Sequence, residues 1–121
     1  MAGYRWARLD VDYFRNPKIV AVSRDAQLLH LASILHCCAQ MTDGQIADRT
    51  LTDLSQTVHI DVRWARRRAT ELVDAGLWKP NEWGWTLHDF DAMNPQAMRA
   101  IVERDRAMAR ERLARWRKAR E

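Results

Sequence analysis

Arginine side chains are concentrated at the start of one predicted helix in the middle of the chain. The stretch RWARRRATELVDAGLW, residues 63–78, has four arginines in its first six positions. Guanidinium groups bind phosphate oxygens and the guanine edge in the DNA major groove. At about 100° per residue, one outer face of this helix collects the residues that we interpret as candidate DNA contacts. They are Arg63, Arg67 and Thr70, with Arg66 on the flank.

The same arginines have a second interpretation, as the solvated side of an ordinary amphipathic helix. Arg67 and Glu71 are four residues apart, a spacing at which opposite charges pair and stabilise a helix by about 0.2–0.5 kcal/mol. Trp64 lies between this outer face and the flank that carries Arg68. Because a large aromatic side chain is usually covered, we assign Trp64 to an interface, within the chain or with another protomer.

A second group of arginines lies near the end of the sequence. Residues 94–121 hold nine Lys/Arg and four Asp/Glu, against eleven and twelve in residues 1–93. No Gly or Pro interrupts residues 96–121, which predicts one long helix. Four arginines lie along one flank within about 40°, a ridge suited either to salt-sensitive phosphate binding or simply to solvation. This arginine ridge consists of Arg99, Arg106, Arg110 and Arg117.

The same helix carries an apolar stripe that needs a surface to pack on. The stripe is about 140° wide, and Asp105 and Arg112 interrupt it. We expect it to contact the body of the protein, a second copy in a homodimer, or a replication or host protein. The candidate interface residues are Met98, Ile101, Met108, Leu113 and Trp116.

Catalytic chemistry has little support in the sequence. No phosphate-cradling glycine loop or nucleophile elbow is present, and no metal-ligand spacing relates His30, His36, His59 and His88. Cys37 and Cys38 are adjacent rather than in C-x-x-C spacing, so we interpret them as small buried hydrophobic residues. We expect no catalytic residue, no metal and no cofactor.

The first predicted elements are an extended arm and a core helix. Residues 4–14, YRWARLDVDYF, alternate partly at period two and predict a short strand or extended arm, which Pro17 ends. Ser23 is a suitable N-cap for a helix over residues 24–41. Three- and four-residue spacing predicts its buried face, which comprises Leu28, Leu31, Ala32, Leu35, Cys38 and Ala39.

Two further helices follow a turn at Thr42-Asp43-Gly44. A very short strand at residues 45–46 precedes a helix over residues 47–57, which turns Leu51 and Leu54 inward. The arginine-rich helix spans residues 62–75, with Asp61 as its N-cap and Gly76 as its C-cap. These elements place the candidate DNA contacts on the second helix of a helix-turn-helix.

The last predicted elements are a hairpin and the long helix. Residues 83–87, WGWTL, predict a return strand with Trp83, Trp85 and Leu87 on one face. The fold class is therefore mainly α with a small β-hairpin, namely a winged helix-turn-helix plus a long C-terminal helix. Residues 1–93 form the winged-helix domain with its arm, and residues 94–121 form the basic amphipathic helix.

Several segments resemble those of a known family. They are Trp6, LDVDYFRNPKI at 9–19, TDG at 42–44, ELVDAGLW at 71–78 and HDF at 88–90. Together they resemble the N-terminal winged helix-turn-helix domain of phage replisome organisers, DnaD-like proteins, and are most similar to those of actinobacterial phages and prophages. The resemblance implies a module that binds DNA or self-associates.

The sequence thus predicts a phage-derived protein that binds double-stranded DNA in replication initiation or transcriptional control. The alternative is a protein interaction or oligomerisation module without DNA contact, which the nearly neutral body of the chain favours. No apolar run approaches the roughly 20 residues that span a bilayer, and the N-terminus lacks the apolar core of a signal peptide. We expect a cytoplasmic, nucleoid-associated protein with no membrane partner.

Overall fold

The computed structural model describes residues 5–120, so the first residue of the predicted arm and the last of the predicted helix lie outside it. The chain is mainly helical, as predicted. Its elements are α1 (Pro17–Val20), α2 (Arg24–Ala39), β1 (Gln45–Ala47), α3 (Leu51–Thr57), α4 (Ala65–Asp74), β2 (Trp78–Pro80), β3 (Gly84–Leu87), α5 (Phe90–Met93) and α6 (Pro95–Ala119). Short 3-10 helices occupy Tyr13–Arg15, Asp48–Thr50 and Val62–Trp64.

The three strands form one antiparallel sheet in the order β1-β3-β2. Ile46 pairs with Trp85 across β1 and β3, and Trp78 pairs with Leu87 across β2 and β3. Gly84 begins β3 at φ +154°, where a Cβ atom would overlap the carbonyl oxygen of Ile46. Helix, strand, two helices and hairpin follow one another in the order of a winged helix-turn-helix, which confirms the predicted fold class.

The helix α2 forms the centre of the core, but its buried face differs from the predicted one. Leu29 and Ile34 are buried, whereas Leu35 is 59% exposed and Ala39 is exposed. Leu28 and Leu31 are only partly buried. The prediction assumed one apolar stripe, and it was wrong because α3, α4 and β1 all pack against this helix, so that it is buried from several sides.

The predicted ends of the helices are mostly confirmed. The Ser23 hydroxyl accepts a hydrogen bond from the backbone N–H of Ala26 and caps α2. The Asp61 carboxylate accepts from the N–H of Arg63 at the start of the 3-10 turn that leads into α4. Gly76 follows α4 at φ +80°. Cys37 and Cys38 are buried as expected, and burial raises the pKa of the Cys37 thiol to about 11.

The N-terminal segment does not form the strand that the sequence predicted. Residues 6–10 have no regular structure, and a 3-10 helix follows at Tyr13–Arg15. The backbone N–H of Arg8 donates to the side-chain oxygen of the buried Asn94, so a side chain rather than a neighbouring strand holds the arm. Pro17 begins α1 instead of ending a strand, because its fixed φ suits the first turn of a helix.

The long helix α6 packs on the core only through its first turns. Ala97 and Ile101 are buried and Met98 packs partly against the core. Every residue from 102 to 120 is exposed except the half-buried Ala107. The helix therefore projects from the body for most of its length. No helix within residues 5–120 is both long enough and apolar enough to span a membrane.

Candidate nucleic-acid interface

The helix-turn-helix consists of α3 and α4, and α4 presents the predicted outer face to solvent. Ala65, Ala69 and Leu72 point into the core, since each is at most 3% exposed. Arg63, at the 3-10 turn, and Arg67 are exposed on the other side. This division follows from helical periodicity, which places residues three or four apart on the same face.

Arg63 is held by the residue that caps its own helix. The Nη2 atom of Arg63 lies 2.7 Å from Oδ2 of Asp61, and the Nε atom donates to the same carboxylate. The hydrogen bond and charge of Asp61 raise the pKa of Arg63, and the same contacts lower the pKa of Asp61. The charge that would meet a phosphate is thus largely compensated in the free protein.

Arg66 connects α4 to the turn before α3. Its Nη2 atom lies 2.8 Å from a carboxylate oxygen of Asp48, whose hydrogen bond and charge raise the pKa of Arg66. The backbone N–H of Asp48 donates to the carbonyl oxygen of Trp83, at 2.7 Å. Asp48 therefore joins the helix-turn-helix to the tip of the β2–β3 hairpin, and the sequence did not reveal this contact because the three residues are far apart along the chain.

Arg67 is the arginine of this face that no acid neutralises within the described residues. Its guanidinium carbon lies 5.0 Å from the centre of the Trp64 ring, a cation–π contact. Trp64 is 45% exposed, so its ring stays about half accessible to solvent even with Arg67 against it. The Thr70 hydroxyl donates to the carbonyl oxygen of Arg66, and Thr70 is exposed. Arg67 and Thr70 form the part of α4 that is available to a ligand.

The predicted pair between Arg67 and Glu71 is not formed, because Glu71 binds elsewhere. Arg68 donates to Glu71 at 2.8 Å, and both the N–H and the hydroxyl of Ser23 donate to it at 2.9 Å. Partial burial works to raise the pKa of the Glu71 carboxyl, but the hydrogen bonds from Arg68 and Ser23 outweigh it and lower that pKa. Glu71 is thus a link between α4 and the start of α2.

The tip of the wing, the β2–β3 hairpin, carries Trp83, and the prediction that Trp83 shares a face with Trp85 and Leu87 was wrong. Trp83 is 71% exposed, whereas Trp85 and Leu87 are buried as predicted. The side-chain oxygen of Asn81 accepts from the N–H groups of Trp83 and Gly84. This turn holds Trp83 outside β3, so it does not share the alternation of the strand.

The arginine ridge on α6 is exposed along its whole length. Among residues 5–120, no carboxylate lies within ion-pair distance of any of its four members. By contrast, Arg104 on the other side of the helix contacts Asp105 at 3.1 Å. The ridge is therefore a row of four positive charges on one flank of α6 that no acid compensates within the described residues. Its members are Arg99, Arg106, Arg110 and Arg117.

The predicted interface residues divide into two groups. Ile101 and most of Met98 are covered by the core of the same chain. Met108, Leu113 and Trp116 lie on the projecting part of α6 and are 46–55% exposed. The guanidinium carbon of Arg120 lies 4.6 Å from the centre of the Trp116 ring.

The histidines and cysteines of the described chain do not gather into a metal-binding group. No group of three or more His, Cys, Asp or Glu residues there could hold a metal ion. His30 is 2% exposed, and its Nδ1 atom is hydrogen bonded to the Tyr13 hydroxyl. Burial lowers the pKa of His30 to about 4 and raises that of Tyr13. This pair anchors the N-terminal segment to α2.

The described chain has the architecture of a winged helix-turn-helix, with a projecting helix that carries exposed arginines. No family model, curated protein sequence or solved structure matches the chain.

Proposed function

We propose that the protein binds double-stranded DNA, with α4 at the major groove and the arginine ridge of α6 along the phosphates. The observation that carries the proposal is the exposed, unpaired state of the ridge. Four guanidinium groups on one flank of a projecting helix can each release a counterion from a phosphate. Such contacts supply affinity without reading sequence.

Sequence reading is assigned to the outer face of α4. Arg67 and Thr70 are available in the free protein, while Arg63 and Arg66 must exchange Asp61 and Asp48 for DNA. These ion pairs are exposed, and exposed pairs contribute little to stability, so the exchange costs little. The compensated charges also keep α4 from dominating non-specific binding.

The biological setting follows from the resemblance to phage replisome organisers and is part of the proposal. A phage-derived protein of this type acts in replication initiation or in transcriptional control, in the cytoplasm and at the nucleoid. Both roles require that the protein distinguish one DNA site from bulk DNA, and the face of α4 is the surface that would do so.

The test is fluorescence anisotropy of a labelled random duplex titrated with the protein across salt concentrations. We expect the logarithm of the association constant to fall linearly with the logarithm of the salt concentration. A variant with Arg106, Arg110 and Arg117 changed to Gln should bind at least about tenfold more weakly and lose about 2–3 from the salt slope, since each phosphate contact contributes about 0.9. Absence of binding to the unaltered protein at low salt would refute the proposal.

The matched control removes the same charge from another side of α6. Changing Arg104, Arg115 and Lys118 to Gln lowers the net charge by three as well. If both triple variants weaken binding equally, total charge rather than the ridge determines affinity.

A second candidate function is a protein interaction module that does not contact DNA. The exposed Leu113 and Trp116 favour it, and so does the compensation of Arg63 and Arg66 by acids. In that case the duplex titration shows no binding at low salt, and the partner is a replication or host protein that covers α6.

A further inference from the structure

The outer part of α6, residues 102–119, carries apolar side chains that the described chain leaves about half exposed. Val102 is 44% exposed, Leu113 46% and Trp116 55%. These three residues lie within about 60° of one another around the helix. Burial of this apolar area against a partner would be favourable, because apolar surface is removed from water.

The spacing on this face is that of a helix that pairs with another helix. Val102, Ala109 and Trp116 recur every seven residues, and Asp105 and Arg112 lie between them on the same face. The pattern is nearly symmetric about Ala109, with a large side chain at each end and a charge between each end and the centre. The two charges have opposite signs.

We propose that α6 pairs in antiparallel orientation with α6 of a second copy of this chain. In that orientation Asp105 of one copy lies beside Arg112 of the other, and the two-fold axis generates the same pair again. Trp116 of each copy then packs near Val102 of the other, and the small Ala109 side chains face each other at the axis.

The charges of Asp105 and Arg112 favour a second copy of this chain as the partner and an antiparallel orientation of the two helices. A parallel pair would place Asp105 against Asp105 and Arg112 against Arg112, and these like charges repel. In the described chain, Asp105 forms an ion pair only with the neighbouring Arg104, and the Asp105 side chain is 62% exposed. Exposed ion pairs are weak, so Asp105 can exchange Arg104 for another partner. A second copy supplies both complementary charges at the required positions.

The pairing leaves the arginine ridge accessible. Its members lie about 60–100° around the helix from Ala109, so each copy keeps its ridge open to phosphates. The inference does not depend on DNA binding, and the experiment contains no nucleic acid. A dimer without DNA affinity would support the inference while the proposed function failed.

The test is sedimentation equilibrium of the full chain over a wide concentration range, with charge-exchange variants. We expect the unaltered protein to dimerise, and Asp105→Arg or Arg112→Asp alone to raise the dimer dissociation constant at least about tenfold by like-charge repulsion. The double variant D105R/R112D and an equimolar mixture of the two single variants should both recover dimerisation. Both positions are exposed, so circular dichroism should show unchanged helicity.

Two results would overturn the inference. One is a protein that stays monomeric at every concentration, and the other is a dimer whose dissociation constant the single variants leave unchanged. A cross-linking experiment adds an independent readout, because Ala109→Cys at the axis should form a disulfide between copies under oxidation. The matched control Ala114→Cys, exposed about 140° away on the same helix, should not cross-link.

Discussion

Asp48 and Arg66 form an ion pair of 2.8 Å that joins the turn before α3 to the helix α4. The two residues belong to different helices of the helix-turn-helix, and the pair lies on the surface proposed to meet DNA. An acid at this position opposes phosphate binding and occupies an arginine that could contact a base.

Replacing Asp48 with Asn should therefore increase duplex affinity severalfold at low salt, because it removes a negative charge and releases Arg66. Anisotropy titration measures the change. The control Asp74→Asn removes the same charge at the far end of α4, where it should have little effect. Weaker binding by Asp48→Asn would show instead that the ion pair positions Arg66 for contact.

Replacing Arg67 and replacing Arg110 should change different properties of DNA binding. Arg67→Ala removes the uncompensated arginine of α4, so we expect reduced discrimination between a selected duplex and a random one. Arg110→Ala should weaken both duplexes alike and lower the salt slope by about 1. Competition titrations with both duplexes separate the two effects. Equal loss of discrimination in both variants would contradict the proposal that α4 recognises the DNA sequence.

Glu71 should stabilise the fold in a pH-dependent way. Its pKa in the folded protein lies below the ordinary 4.5, so its contribution is complete above that pH and is lost as the pH falls through the folded value. Glu71→Gln should lower the free energy of unfolding by about 1–2 kcal/mol at pH 7, because Arg68 and Ser23 lose a charged acceptor. Urea unfolding at pH 7 and at acid pH measures this. A variant equally destabilised at both pH values would contradict the assignment.

His30 should produce a separate loss of stability in weak acid. Its pKa falls from 6.5 in the unfolded chain to about 4 in the fold, so the unfolded state binds the proton first. The free energy of unfolding should decrease from pH 6.5 towards pH 4, by about 3 kcal/mol in total. His30→Gln, itself less stable, should show little slope between pH 5 and 6, where the Glu71 contribution is constant. An unchanged slope would assign it to another group.

Gly84 should tolerate substitution less well than Gly76. A Cβ atom at Gly84 would overlap the carbonyl oxygen of Ile46 in β1 and the backbone nitrogen of Asp48 just after that strand. Gly84→Ala should lower the free energy of unfolding by at least about 2 kcal/mol. Gly76→Ala should cost only about 1 kcal/mol, since its positive φ is unfavourable but only the end of the Lys18 side chain is near. Thermal unfolding of both variants tests the order.

Local features of the sequence determined the helices of the body and the positions of their arginines. Ser23, Asp61 and Gly76 have side chains or φ freedom suited to helix ends, and each lies where predicted, because capping depends on a few adjacent residues. Periodicity also placed Arg63, Arg67 and Thr70 on one exposed face of α4, since 3.6 residues per turn fixes relative direction without reference to the rest of the chain.

Contacts between distant residues were decided only by the tertiary structure. The partners of Arg66 and Glu71 are Asp48 and Ser23, which lie 18 and 48 residues away, and no local rule relates them. Burial of α2 from several sides and the turn that exposes Trp83 likewise depend on how the elements meet. The sequence by itself determined the class of fold and the exposed face of α4. Packing decided the buried face of α2 and which charges remain free, because an ion pair requires two side chains that the chain brings together only when folded.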